Sequence, residues 1–467
     1  MVFSSLVFIF LFFVAVMLIY YAVPKKLKNF VILLSGIVFY AWGEPVYVLV
    51  MLGSTLIDYT AGLLIWKFDK NIVVKRICLI VSLVMNLSLL GIFKYSGFVI
   101  QNANNLFALG LNDPKLPLPI GISFFTFQSM SYTIDMYLGK IKVQKNPISF
   151  AAFVTLFPQL VAGPIVRYDD IARELDDRTI NLDIIYEGIT RFITGLGKKV
   201  LIANSVGLLW DTVIASDLSS VSVLTVWLGI IAYTLQIYFD FSGYSDMAIG
   251  MGKMMGFNFP ENFDYPYLSK SISEFWRRWH ITLGAWFRSY VYIPMGGNRK
   301  GMKRTIFNLA VVWTLTGIWH GADWTFIVWG ALYGVMIILE RLFLGKVLEK
   351  LPSAVCWVYT MLLVMLGWVL FASPDISTAG SYIAAMFGST GLLWDNTAIY
   401  LLLNYGIVLV IGIFAATDAW KVITERLSAK MPVAVSYITP FAKTAVLLIC
   451  IAYIADASYN PFLYFNF

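Results

Sequence analysis

Long apolar runs separated by short polar loops dominate the chain. A helix that crosses the hydrocarbon core of a bilayer needs about 20 apolar residues, and thirteen segments approach or exceed that length. They are 4–23, 29–43, 46–66, 76–94, 118–138, 149–166, 184–210, 221–251, 305–322, 324–344, 354–372, 398–417 and 433–456. The shorter ones are expected to be short or re-entrant helices. The pattern therefore predicts an all-α polytopic membrane protein with roughly 11–13 membrane helices.

Composition supports this prediction. The 467 residues are 59% hydrophobic, 16% aromatic and only 13% charged, which lies outside the usual range of soluble proteins. The apolar segments use almost the whole length, so we expect one membrane domain over 1–467, with 456–467 as a tail. The first segment lacks a basic start and a small-residue cleavage site, and we interpret it as a retained span.

The distribution of basic residues predicts how the chain is oriented. The net charge of +7 comes from Lys and Arg in short loops, which the positive-inside rule explains without nucleic acid as a partner. Basic loops follow 4–23 and 46–66, whereas the turn at 43–45 and the loop at 373–397 contain no Lys or Arg. Both termini are therefore predicted outside, and the basic segment 253–304 in the cytoplasm.

The chain contains two histidines, His280 and His320. Histidine takes and returns a proton near neutral pH, so these are the first candidates for proton transfer. His320 lies 16 residues beyond Arg304, about 24 Å along a helix, which predicts a position inside the membrane. An ionisable residue there is costly and usually functional; the alternative is a hydrogen bond between helices. Gly317 and Gly321 allow close approach of another chain or a ligand, and a break in the helix.

His280 lies in the basic, aromatic segment. Trp276, Trp279 and Trp286 have helical spacing, which suggests an aromatic face under the inner leaflet. Arg277 is predicted on the same helical side as His280, where it could bind the phosphates of a ligand. The alternatives are an interfacial anchor for His280 and lipid phosphate for Arg277. A site shared with His320 requires this segment to fold into the protein.

Residues 236–250 form a second polar cluster that contains Asp240, Tyr244 and Asp246. We interpret it as structural hydrogen bonding; the alternative is that a buried carboxylate orients a histidine. Two histidines do not provide a recognisable metal set, and the nucleotide-binding and hydrolase motifs are missing from the sequence. We therefore predict no metal and no tightly bound cofactor.

Nine stretches carry a family resemblance. They are MVFSS at 1–5, FYAW at 39–42, GISFFTFQ at 121–128, PQLVAGPIVR at 158–167, YFDFSGYSDMAIG at 238–250, PENFDYPY at 260–267, SEFWRRWHITL at 273–283, YIPMGGNRKG at 292–301 and GIWHGADWTFIVWG at 317–330. In order and spacing they resemble the membrane-bound O-acyltransferase (MBOAT) family. The resemblance is to its bacterial branch of alginate and peptidoglycan O-acetyltransferase membrane subunits.

The resemblance implies a helical funnel with a thin core, in which His320 matches the catalytic histidine and His280 the second family histidine. It implies a bacterial inner (plasma) membrane protein and a cytosolic acyl thioester donor, such as acetyl-CoA. We expect the donor near Arg277, Trp276 and Trp279. It further implies an extracellular SGNH-type transferase as partner, with a cell-surface polysaccharide as the final acceptor.

The last residues, FLYFNF, are similar to the FxYFxF ending of relatives that pass acyl groups outward. Tyr464 matches a tyrosine proposed to hold the acyl group; the alternative is an interfacial aromatic anchor. Three other functions stay open: D-alanyl transfer to teichoic acid, export of a polysaccharide or lipid-linked sugar, and an inert scaffold for a polysaccharide synthase.

Overall fold

The computed structural model describes residues 1–456 and Leu463. The first half consists of α1 (Phe13–Ala22), α2 (Lys28–Ala41), α3 (Val48–Lys67), α4 (Ile72–Phe107), α5 (Ile122–Tyr137), α6 (Pro147–Thr155), α7 (Phe157–Leu160), α8 (Tyr168–Asp176), α9 (Leu182–Gly197), α10 (Asn204–Ile214) and α11 (Val223–Met254). The rest consists of α12 (Ile272–Arg278), α13 (Ile281–Phe287), α14 (Met302–His320), α15 (Trp324–Leu339), α16 (Gly345–Leu348), α17 (Ser353–Ala372), α18 (Ile376–Met386), α19 (Asn396–Ala415), α20 (Ala419–Lys430) and α21 (Pro432–Asp456). In the described part, β structure is limited to one bridge between Phe263 and Trp279.

All thirteen predicted apolar segments coincide with helices, although 149–166 divides into the short helices α6 and α7. Among the described residues, eight helices are long and apolar enough to cross a membrane. They are Val48–Lys67, Ile72–Phe107, Leu182–Ile214, Val223–Met254, Trp324–Leu348, Ser353–Ala372, Asn396–Ala415 and Pro432–Asp456. The prediction of an all-α polytopic membrane protein is confirmed.

The chain divides into two compact units. The first contains Met1–Phe192 and Ser245–Pro260. A buried polar network joins two of its long helices: Asp58 on α3 accepts hydrogen bonds from Ser82 (2.5 Å) and Asn86 (2.8 Å) on α4. Both bonds go to Oδ1 of a carboxyl group that is fully buried in an apolar segment, where hydrogen bonds reduce the cost of burying a polar group.

The second unit contains Ile193–Tyr244 and Glu261–Phe467. Its core is built around the buried first part of α11, against which α10, α12, α17 and α18 contribute large aromatic side chains. Tyrosine hydroxyls reach carbonyls of α11: Tyr382 donates to Val226 at 2.8 Å and Tyr267 donates to Thr234 at 2.6 Å. Both histidines belong to this unit.

The prediction of one continuous aromatic helix around His280 is wrong. Helix α12 ends at Arg278 and α13 begins at Ile281. Between them, Trp279 is extended and His280 has left-handed backbone angles (φ 45°, ψ 51°). Because helical spacing stops at Arg278, Arg277 and His280 do not share one helical face. The break turns His280 into the protein, where it is 1% exposed.

Candidate active site

His320 is the last residue of α14, and a close crossing with α15 determines its surroundings. A Cβ atom added at Gly317 would lie 2.6 Å from the carbonyl oxygen of Phe326. Real Cβ atoms do not approach a carbonyl that closely, so only glycine allows the two backbones to meet here. The close approach of another segment that Gly317 allows is present in the structure.

Three aromatic rings surround the imidazole of His320. Ring centroids lie at 4.9 Å from Trp329, 5.0 Å from Trp319 and 5.4 Å from Phe371, all nearly perpendicular to the imidazole. His320 is only 3% exposed. The imidazole of His320 is therefore enclosed by aromatic rings within the second unit. That His320 lies at membrane depth stays a prediction.

Trp319 brings the two histidines together. Its ring centroid lies 6.0 Å from that of His280 and 5.0 Å from that of His320. Phe241 of α11 packs against His280 from another direction, at 4.8 Å and an interplanar angle of 87°. The inward folding that a shared site required is thus present: the two imidazoles have one indole as a common neighbour.

Asn262 holds His280 on its Nδ1 side. The Asn262 amide oxygen lies 3.1 Å from Nδ1 of His280 and accepts two further hydrogen bonds from Thr282. Burial lowers the pKa of the His280 imidazole to about 3, because the charged form loses its hydration. His280 is therefore neutral at physiological pH.

A cavity of about 750 Å³ opens next to His280. All three donor-binding candidates, Trp276, Arg277 and Trp279, line it together with His280. Its described lining residues include five cations and no carboxylate; the cations are Arg277, Arg288, Arg299, Lys300 and Arg341. Such a charge distribution favours an anionic ligand with apolar parts.

The neighbouring arginines Arg277 and Arg278 have different surroundings. Arg278 pairs with Glu274 at 3.0 Å and with Asp264 at 3.4 Å, whereas Arg277 is exposed in the cavity wall. Glu340 anchors their helix by accepting the backbone N–H groups of Ile272 (2.7 Å) and Ser273 (2.8 Å). This cap fixes the start of α12 and so the direction of its side chains.

His320 itself does not line the described cavity, and aromatic rings separate the two. The ring centroid of Trp329 lies 5.4 Å from that of Trp276 in the cavity wall and 4.9 Å from that of His320. On another side, the ring centroid of Trp368 lies 4.9 Å from that of Trp279 and 5.6 Å from that of Phe371. The cavity thus reaches His280 directly and approaches His320 through one layer of indoles.

Asp240 makes the structural contacts that its sequence context suggested. It forms an ion pair with Lys199 (2.5 Å) in which both side chains are almost fully buried. Its second carboxylate oxygen accepts the backbone N–H of Leu463 at 2.9 Å. Tyr464, the acyl-acceptor candidate, lies outside the described residues. Asp246 belongs to the other unit and pairs there with Arg191 at 2.7 Å.

Sequence reasoning missed Asn262, Trp319 and Lys199. Lys199 left a usable signal, because a Lys within a long apolar segment needs a partner. Asn262 left only its place in a polar loop, and its bond to His280 spans 18 positions. Among the described residues, no three His, Cys, Asp or Glu side chains come together as a metal site would require.

Comparison with known proteins points to acyl transfer. Residues 42–363, which include both histidines, match the membrane-bound O-acyltransferase family. The chain is 39% identical over 487 residues to the "Probable alginate O-acetylase AlgI" of Pseudomonas putida, covering 100% of each chain. It is 35% identical to the peptidoglycan O-acetyltransferase of Helicobacter pylori, covering 84% of this chain and 81% of that one. Identity to the teichoic acid D-alanyltransferase of Bacillus subtilis is 29%, over 50% of this chain and 62% of that one.

Proposed function

The chain belongs to the membrane-bound O-acyltransferase family, and we propose that it moves an acetyl group from a cytosolic thioester across the membrane for O-acetylation of an extracellular polysaccharide. That it is an acyltransferase with several membrane helices follows from the family and from the apolar helices described above. We propose alginate or peptidoglycan as the polymer, because the relatives that align over most of this chain are named for them.

The cationic cavity beside His280 is the observation that carries the proposal. A coenzyme A thioester has phosphate groups at one end and, at the other, a carrier arm of methylene and amide groups that ends in the acyl thioester. The five cations suit the phosphates, since guanidinium groups bind phosphate through paired hydrogen bonds. Trp276 and Trp279 offer apolar surface to the arm. Acetyl-CoA fits this description as a substrate and needs no resident cofactor.

In the proposed reaction, a hydroxyl oxygen attacks the thioester carbonyl carbon. His320 takes the hydroxyl proton as general base while the C–O bond forms. The C–S bond then breaks, and the proton passes to the departing thiolate to give free thiol. His280 orients the thioester or stabilises the developing charge. The acyl end must pass the indole layer to reach His320, so we expect Trp276 or Trp319 to change its ring orientation when the donor binds.

Tyr464 is the proposed acyl acceptor within the protein. Two contacts of the preceding residue support this: Leu463 packs on the core of the second unit, and its N–H is bound by Asp240. The residue after Asp240, Phe241, contacts His280. Leu463, which precedes Tyr464, is therefore tied to the part of α11 that contacts His280.

We further propose that the protein lies in the bacterial cell membrane with both termini outside. The acyl group would then leave on the outer side, where an SGNH-type transferase passes it to the polysaccharide. Membrane lipid surrounds the exposed apolar helices; α21, for example, has few buried side chains. The basic loops described above support this orientation.

Reconstitution with labelled acetyl-CoA tests the proposal. Wild-type protein in liposomes should release free thiol and acquire label, and His320→Ala should lose both. Tyr464→Phe should lose the covalent label but keep the fold. Normal thiol release by His320→Ala would eliminate the proposed base, and label retained by Tyr464→Phe would eliminate the tyrosine acceptor.

D-alanyl transfer is the second candidate, because half of the chain aligns with the Bacillus subtilis enzyme. It predicts that a D-alanyl thioester labels the protein and that acetyl-CoA does not. Export of a polysaccharide or a lipid-linked sugar predicts translocation without any thiol release. The three outcomes differ in one assay, so the same liposomes distinguish them.

A further inference from the structure

Asn262 lies in a loop that is paired with the break between α12 and α13. Its backbone carbonyl accepts the N–H of Ile281 at 3.0 Å, and the N–H of Asp264 donates to Arg278 at 3.0 Å. With the bridge between Phe263 and Trp279, these bonds hold the loop antiparallel to the segment that contains His280. The position of Asn262 relative to the imidazole is thus set by the backbone.

The Asn262 amide oxygen faces three groups. It accepts the backbone N–H of Thr282 at 3.3 Å and the Thr282 hydroxyl at 2.9 Å, and it lies 3.1 Å from Nδ1 of His280. A backbone N–H can only donate, so it identifies the facing atom of Asn262 as the oxygen rather than the nitrogen. An amide oxygen can only accept, so Nδ1 of His280 must bear the proton.

A neutral imidazole has one protonated nitrogen, so a proton on Nδ1 leaves a lone pair on Nε2. His280 is only 1% exposed. This burial favours the neutral ring and lowers the pKa of the imidazole to about 3. Left-handed backbone angles are unfavourable for a residue other than glycine. Hydrogen bonds lie on both sides of His280, from Asn262 to Ile281 and Thr282 and from Asp264 to Arg278. They offset that cost and keep the ring in place.

We propose that Asn262 is a positioning residue that holds His280 in the Nδ1–H tautomer, so that Nε2 meets the substrates as a hydrogen-bond acceptor. The inference rests on the proposed function and refines it. A neutral ring in this tautomer cannot donate from Nε2 to an oxyanion. It can accept from a substrate N–H or O–H group, such as an amide of the donor's carrier arm. Of the two roles proposed for His280, this selects orientation of the thioester.

Nitrogen NMR of the imidazoles tests the tautomer. Full-length protein labelled with ¹⁵N-histidine in liposomes gives signals from two imidazoles, and His320→Gln leaves those of His280 alone. We expect the proton on Nδ1 in the wild type and on Nε2 in Asn262→Leu. We also expect Asn262→Leu to lower kcat for acetyl transfer about 10- to 100-fold, by analogy with metal-bound histidines that lose their orienting partner. KM for acetyl-CoA should change little.

Two variants serve as controls. Thr282→Val removes one donor from the same oxygen without touching His280, and it should keep the proton on Nδ1 and a near wild-type kcat. Asn262→Asp keeps an acceptor and should keep the Nδ1 proton. A wild-type ring protonated on Nε2 overturns the inference, whatever the fate of the variants; so does a folded Asn262→Leu with wild-type kcat. The tautomer is read without turnover, so absence of acetyl transfer refutes only the proposed function.

Discussion

Gly317 and Gly330 face each other where α14 crosses α15: a methyl group at Gly330 would lie 2.9 Å from the Cα atom of Gly317 and 2.7 Å from the carbonyl oxygen of Trp313. Gly330→Ala must therefore push the helices apart, and it moves the adjacent Trp329 away from His320. Overpacking of this kind costs about 1–3 kcal/mol of unfolding free energy. A displacement near 1 Å at the proposed base, His320, should lower the rate about 100-fold. Thermal unfolding in detergent and acetyl transfer in liposomes measure the two effects.

Gly406→Ala is the matched control for this crossing. Gly406 lies within α19, and no other group comes within 4 Å of an added methyl. Alanine is a better helix former than glycine by about 0.5–1 kcal/mol, so this variant should be at least as stable as the wild type and equally active. Equal losses in both variants would mean that the close crossing does not position His320.

Arg277 and Arg278 give a second matched pair. Arg277 lines the cationic cavity, whereas Arg278 forms ion pairs with Glu274 and Asp264. Arg277→Ala should raise KM for acetyl-CoA about 10- to 100-fold, since a hydrogen bond to a charged group contributes roughly 1.5–3 kcal/mol. Initial rates at varied acetyl-CoA concentration measure this effect, and kcat should be nearly unchanged.

Arg278→Ala should leave KM close to the wild-type value, because an ion pair at the surface contributes little. The effect of Arg277→Ala should also weaken as salt rises, since salt screens the attraction between the cavity and the phosphates. If both variants raise KM equally, general surface charge rather than this cavity attracts the donor.

The helices of this protein were predictable because membrane segments are specified locally. An apolar run long enough to cross a bilayer must satisfy its backbone polar groups within itself, so it becomes a helix whatever its neighbours are. Glycine carries a similar local signal: Gly317, three residues before His320, allows a close approach that the structure contains. The two histidines could be selected for the same reason, as rare ionisable side chains in an apolar sequence.

The details of the site depend on contacts between distant residues, which no local pattern reveals. Helical spacing of Trp276 and Trp279 hid the break at His280, because the residue with left-handed angles is a histidine and not a glycine. Asn262 and Lys199 acquire their roles only through partners 18 and 41 positions away. Lys199 and Asp240 lie within apolar segments, so each needed a polar partner. The sequence did not show which residue that partner was.

The pair Lys199–Asp240 leads to a third prediction. Asp240→Asn leaves the buried ammonium group of Lys199 without its counter-charge, which should destabilise the protein by about 3–5 kcal/mol. The double variant Lys199→Met with Asp240→Leu should recover most of that stability, because apolar side chains of similar size replace a buried ion pair well. Thermal unfolding of the wild type, the single variant and the double variant measures this.

The double variant also separates stability from the contact with Leu463. Leucine cannot accept the N–H of Leu463, so acyl transfer should stay low even though the fold is restored. Label on the protein and free thiol release report this loss. Full activity in the stable double variant would show that the contact between Asp240 and Leu463 is not needed for transfer.

The buried, neutral His280 should make the protein less stable in acid. Its pKa is about 3 in the folded protein, against 6.5 as the ordinary value, so between these values the unfolded chain binds a proton that the folded protein does not. Stability therefore rises with pH in this window and falls as the solution is acidified. His280→Asn removes the imidazole and should therefore not show this part of the pH dependence of stability. Asparagine also accepts left-handed angles and can donate a hydrogen bond to Asn262. Between about pH 7.5 and about pH 5, the wild type should lose about 2 kcal/mol relative to His280→Asn, at 1.36 kcal/mol per pH unit below the ordinary pKa. Denaturation curves of the two proteins in detergent, recorded across this pH range, test this. If the unfolding free energies of both proteins change equally with pH, the folded His280 takes up a proton as readily as the unfolded one, and Asn262 then faces an imidazolium in acid.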